Sequence, residues 1–172
     1  MASFPSWSMG NEGYEALLLT EGDNPLMETS FVVNVAPYSV VQFRLWIYNE
    51  NTSRGLTGFE LGIDFNIGTC MEASVNPGVT SIVGDISSKA FAGVFDECQN
   101  TQFVWISKYS MYYLGTPHYV NTVPYSETGN YIVSSCEEGN PKYPLIEGNQ
   151  FGINICPDAD SSSWGVVKSL FR

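Results

Sequence analysis

From residue 41 to 48 the chain alternates without a break: Val41, Phe43, Leu45 and Ile47 fall on one side, and Gln42, Arg44, Trp46 and Tyr48 on the other. The same period of two recurs from 59 to 66, where Phe59, Leu61, Ile63 and Phe65 oppose Glu60, Gly62, Asp64 and Asn66. Successive side chains of a strand point to opposite faces, so each run is a strand with one buried face. The turn-forming Asn51-Thr52-Ser53-Arg54-Gly55 lies between them, and the pair predicts a β-hairpin.

Further strand candidates lie at 14 to 19, 28 to 35, 79 to 83, 90 to 95, 102 to 114, 130 to 135 and 150 to 155, with the first two runs extending over 38 to 48 and 57 to 67. Gly, Pro, Asn and Asp punctuate the gaps, as in Asn76-Pro77-Gly78 and Gly139-Asn140-Pro141. About nine short strands spaced in this way predict an all-β chain, a single antiparallel β-sandwich with very little helix. Only Ser87 to Ala92 and the tail Ser163 to Arg172 offer short helical pieces, the second with Ser163 as N-cap and Trp164, Val167 and Phe171 packing back on the sandwich. Residues 1 to 12 show neither period and are expected to be an extension, 13 to 156 the sandwich, and 157 to 172 a tail packed against it.

Charge narrows the partners. The 172 residues carry 18 Asp and Glu against seven Lys and Arg, a net charge of -11, which repels nucleic acid and anionic membranes. No apolar run approaches the roughly 20 residues of a membrane helix, so no membrane insertion is expected. The four cysteines, Cys70, Cys98, Cys136 and Cys156, lie at long spacings with no Cys-x-x-Cys pair, which favours structural disulfides over zinc or redox chemistry. Three pairings exist on paper. The expected one is Cys70 with Cys98 and Cys136 with Cys156, each bridge tying a loop-rich segment to a neighbouring strand edge and stabilising by roughly 3 to 4 kcal/mol. Disulfides place the chain outside the cytosol, extracellular or on the cell surface. Met1-Ala-Ser-Phe-Pro lacks the basic start and apolar core of a secretory signal, so the signal is expected to have been removed.

Catalytic chemistry finds little support. Glu60 and Asp64 share a strand face, but four residues of strand span about 13 Å, beyond the roughly 5 to 9.5 Å that a glycosidase pair needs. The single histidine, His118, sits in the turn-like Thr116-Pro117-His118-Tyr119 with no Gly-x-Ser-x-Gly elbow to supply a nucleophile, and reads as a surface turn residue. The chain is therefore expected not to be an enzyme and to need no cofactor. Asp158 and Asp160, beside Ser161 and Ser162, form the best candidate for a structural calcium, although no EF-hand loop surrounds them.

Aromatics make up 14% of the chain and all charged residues only 15%, so some Trp and Tyr must face outward. Trp46 and Tyr48 would stand outside beside Arg44, and the segment from Phe103 to Tyr113 has bulk on both faces, which adds Tyr112 or Tyr113. Such a face can stack on sugar rings, with Arg44, Trp46, Tyr48, Tyr112 and Tyr113 binding a polysaccharide. The leading expectation is different: a structural or adhesive protein that binds copies of itself or another surface protein by strand addition, with Phe4, Trp7 and Met9 as anchors.

Three stretches carry a resemblance: Gly55-Leu56-Thr57-Gly58-Phe59-Glu60-Leu61-Gly62, Cys98-Gln99-Asn100-Thr101-Gln102-Phe103-Val104-Trp105, and Ser163-Trp164-Gly165-Val166-Val167-Lys168-Ser169-Leu170-Phe171-Arg172. Together they resemble uncharacterised secreted bacterial β-sandwich proteins that end in Trp-Gly-x-x-Lys-x-Leu-aromatic-Arg. The first stretch is also similar to the Gly-x-x-Gly-aromatic strand entry of cohesin-like modules. That likeness implies a jelly-roll or cohesin-like sandwich used for binding.

Overall fold

The computed structural model describes residues 13–22, 25 and 30–155. They form twelve strands: β1 (Tyr14–Thr20), β2 (Val32–Val33), β3 (Val40–Asn49), β4 (Leu56–Asp64), β5 (Thr69–Val75), β6 (Val79–Asp85), β7 (Ala90–Gln99), β8 (Phe103–Tyr112), β9 (His118–Val123), β10 (Ile132–Ser134), β11 (Lys142–Glu147) and β12 (Phe151–Ile153). Among the described residues there is no helix. The all-β sandwich stands, with more and shorter strands than nine.

One layer runs β5–β8–β3–β1, closed by a parallel β1–β11 pair. The other runs β6–β7–β4, with β10 and β9 both pairing to β4. Strand β10 also pairs with β11, so the ladder passes from one layer to the other. Strand β12 adds to β9, and β2 joins β12 in parallel.

The core lies between the layers. Val41, Phe43, Leu45 and Ile47 of β3 face Leu61 and Ile63 of β4 in one cluster with Phe91, Val104, Ile106, Tyr109, Met111 and Phe151. Phe43 stacks on Tyr109 and on Phe151 with ring centroids 5.3 and 4.9 Å apart, a geometry that adds to simple area burial.

The predicted β3–β4 hairpin does not form, because β3 pairs with β1 and β8 whereas β4 pairs with β7, β9 and β10. The two strands lie in opposite layers and contribute their apolar faces to one core from either side. The expected helical piece at Ser87 to Ala92 is a turn running into β7. Asp85 Oδ1 accepts from the Ser87 amide at 2.8 Å and from its hydroxyl at 2.7 Å, and this local bonding closes a turn rather than a helix. The extension at 1 to 12 and the tail at 157 to 172 lie outside the described residues.

Candidate docking face

The outer face of the β6–β7–β4–β10 layer mixes small and apolar residues with the charged Glu60 and Lys142. Strand register places Gly58 of β4 beside Val94 of β7 on one side and Ser134 of β10 on the other, and Val94 beside Ser81 of β6. Glu60 is likewise flanked by Ala92 and Ile132, and Ala92 by Val83. Val83 is 63% exposed and Val94 51%. With Lys142 these residues line a shallow depression of about 130 Å³. That is well below the roughly 300 to 1,000 Å³ of a small-molecule pocket. Gly58 itself is buried between its neighbours: a Cβ on it would lie 3.8 Å from the Ser134 and Val94 side chains.

The inner side explains the flatness. A Cβ on Gly93 would strike the Phe59 ring, so the glycine lets a buried phenylalanine pack directly beneath β7. At the rim, Glu60 accepts from Thr128 Oγ1 at 2.5 Å and from Asn130 Nδ2 at 3.1 Å, which docks the loop before β10. Farther along β4, Lys89 Nζ donates to Asp64 Oδ2 at 2.6 Å and holds the Asp64 carboxyl below the usual carboxylate range. Glu60 and Asp64 are thus bound to separate partners.

One disulfide clamps this layer, and it joins Cys98 to Cys136. Both expected pairings are therefore wrong. Cys98 lies in the register shift of the β4–β7 ladder, just before the Leu56–Gln99 pair, and Cys136 follows the β4–β10 ladder on the other side, so the two chains converge over the entry to β4. Gly55 makes room there: its φ is 60°, and a Cβ would collide with Cys98 Sγ and lie 2.5 Å from Asn100 Oδ1. Tyr14 Oη donates to the Gly55 carbonyl at 2.6 Å, and burial pushes its phenol up to about 12. Cys70 is a free thiol, half-buried, with Sγ 3.5 Å from the Glu72 carbonyl. Cys156 lies outside the described residues.

The expected sugar-stacking platform is not assembled as written. Trp46 is only 4% exposed, and Tyr113 is buried in the main core. Trp46 packs with Leu17 and Leu19 into a second apolar cluster flanked by Phe31, Tyr48, Phe103 and Trp105. Arg44 lies over the Trp105 ring at 5.5 Å from its centroid. Tyr112 is half-buried at the far end of β8, against Tyr38. Tyr48, Phe103 and Trp105 are the half-exposed aromatics of this face, and Trp105 was not singled out in advance.

His118 is not a surface turn residue either. It opens β9, is 4% exposed, and its Nδ1 lies 2.8 Å from the Thr116 carbonyl. The assembly anchors Phe4, Trp7 and Met9 and the calcium candidates Asp158 and Asp160 lie outside the described residues. Among the described residues no group of three or more His, Cys, Asp or Glu side chains could hold a metal ion, and no helix is long and apolar enough to cross a membrane.

The fold is that of cohesin modules. A cohesin of Clostridium thermocellum, solved in a type I cohesin–dockerin complex, matches with a TM-score of 0.52 at 12% identity over 87% of this chain and 97% of its own. The cohesin module of a Clostridium perfringens family 33 glycoside hydrolase matches with a TM-score of 0.54 at 10% identity, covering 84% of this chain and 98% of that one. The sixth cohesin of an Acetivibrio cellulolyticus scaffoldin, solved with a dockerin, matches with a TM-score of 0.51 at 11% identity, covering 84% and 99%. No family model matches the chain, and no curated protein does.

Proposed function

We propose that this chain is a non-catalytic extracellular binding module that seats a partner protein on the outer face of the β6–β7–β4–β10 layer. The observation that carries the reading is the apolar patch formed by the exposed Val83 and Val94 with the half-buried Ala92 between them. An apolar patch of this kind on a water-facing sheet suits a protein partner. Its depression is too shallow to enclose a substrate. The cohesin fold supports the same class of function, since two of the matching cohesins were solved with a dockerin bound. The Cys98–Cys136 disulfide fits an oxidising compartment.

The partner on this reading presents an apolar ridge with basic flanks. Glu60 and Asp96 lie along the same outer face as Val94, on a chain of net charge -11. A second copy of the chain is a narrower form of the reading. Among the described residues strand β6 pairs only with β7, exposes most of its residues and carries no Lys or Pro, so its other edge can accept an added strand such as residues 1 to 12.

Calorimetric titration with purified dockerin modules tests the docking face. Val94→Arg should weaken binding about tenfold or more. The same change should alter stability by no more than about 0.5 kcal/mol, because the side chain is on the surface. Binding untouched by both Val94→Arg and Val83→Arg would move the site elsewhere. Retention on polysaccharide that is lost in Trp105→Ala would point instead to the opposite, aromatic face.

A further inference from the structure

The end of the sandwich away from the disulfide holds a buried histidine whose second nitrogen has no hydrogen-bond partner among the described residues. His118 Nδ1 lies 2.8 Å from the Thr116 carbonyl. A carbonyl has no proton to give, so Nδ1 carries the hydrogen, and in the neutral ring Nε2 is left with its lone pair. That Nε2 is fully buried and accepts from nothing among the described residues. The Tyr113 ring stacks on the imidazole with centroids 6.0 Å apart and fixes its plane.

Other acceptors lie close to Nε2 around Gly68. A Cβ placed on Gly68 would collide with Met111 Sδ, lie 3.0 Å from His118 Nε2 and lie 3.1 Å from the Phe65 carbonyl oxygen. Three elements meet here: the turn after β4, which holds Gly68 through its amide on Phe65, then β8 with Met111, and β9 with His118. Met111 is wholly buried. A thioether, a bare imidazole nitrogen and a carbonyl are all acceptors, and none can satisfy another.

We propose that His118 Nε2 and Met111 Sδ form a buried site for one soft monovalent cation, Cu(I) or its redox-inert counterpart Ag(I). Thioether and imidazole together select this class over calcium, magnesium or zinc, which require carboxylates or more ligands. Both ligands are neutral and buried, so a single positive charge costs far less to hold there than a double one. The Nδ1–H bond to the Thr116 carbonyl is the outer-shell contact that metal-binding histidines use to orient the ring. The site is independent of the docking face.

The test uses silver nitrate in chloride-free buffer with the Cys70→Ser/Cys156→Ser chain, so that thiols do not compete. One molar equivalent of Ag(I) should raise the melting temperature and shift the methyl NMR signal of Met111, assigned through Met111→Leu. Met111→Leu and His118→Phe should each lower the affinity about 10- to 100-fold or more. The methyl titration on the native sequence also stands alone, should the cysteine replacements unfold the chain. An unmoved Met111 signal, a shift confined to the exposed Met71, or a thermal gain that persists in Met111→Leu would overturn the site.

Discussion

Glu15 and Glu147 show how single positions in this acidic chain set its pH behaviour. They lie on the adjacent parallel strands β1 and β11, where Ala16 pairs with Glu147 and Glu15 with Ile146. Burial pushes both carboxyls above their ordinary range, with Glu50 adding to the effect at Glu15. A raised carboxyl binds its proton more tightly in the folded chain than in the unfolded one. Its stabilising contribution is therefore complete below the unfolded value and is lost as pH rises through the folded value. Glu15 is half-buried whereas Glu147 is exposed, so Glu15→Gln should stabilise the chain at neutral pH, and the gain should vanish below pH ~4, where both states are protonated. Urea denaturation across that range checks it, and equal stability of the two chains at pH 7 would show that Glu15 is not penalised by burial. Asp64, Glu21 and Glu137 have the opposite sign. Hydrogen bonds from Lys89, Lys108 and Tyr143 respectively lower them, so their contributions fade as pH falls.

Strand β8 explains most of what the sequence revealed and concealed. Its ladder with β3 shifts register between Leu45 and Trp46: Leu45 pairs with Ser107 and Trp46 with Trp105, leaving Ile106 extra. A bulge of this kind reverses the facing of every later side chain. Val104 and Ile106 point inward before it, and Ser107, Tyr109, Met111 and Tyr113 after it. Read as one alternating run, residues 103 to 113 place aromatics on both faces, which is why Tyr113 looked available to a ligand. Trp46 misled in a second way. It does stand outside the core face of β3, but Leu17 and Leu19 on β1 sit beside it in a cluster of their own. Trp46→Ala should therefore cost about 3 to 5 kcal/mol, as for a core residue. A loss below about 0.5 kcal/mol in chemical denaturation would restore Trp46 to the exposed surface. The faces of β3 and β4 were legible because burial on one side enforces a period of two. Their partners were not, since alternation fixes which side is buried and says nothing about which strand lies alongside. Strands β5, β9 and β11 escaped notice: β5 is a mixed edge strand, β9 is short, and β11 contains Pro144.

At the scale of the whole molecule, the Cys98–Cys136 bridge and the docking face belong to one design. Strands β7 and β10 grip β4 from its two sides and have no ladder between them, so their spacing depends on β4 alone until the disulfide joins their ends. The long sequence separation of 38 makes the bridge a strong restraint on the unfolded chain, of about 4 kcal/mol by loop entropy. The sequence held both cysteines but not their pairing, because convergence over Gly55 is a property of strand order and not of spacing. Replacing Cys98 and Cys136 with Ser should lower stability by about 2 to 4 kcal/mol. The two layers do not share this loss equally. Hydrogen exchange should accelerate first at the ends of β7 and β10, while β3 and β8, which lie in the opposite layer with their own ladder, stay protected until global unfolding. If instead exchange rises uniformly, the bridge acts only on the unfolded chain and plays no part in holding the outer face flat. If it rises locally, partner affinity should fall with it, since a face whose flanking strands splay must be reordered on binding.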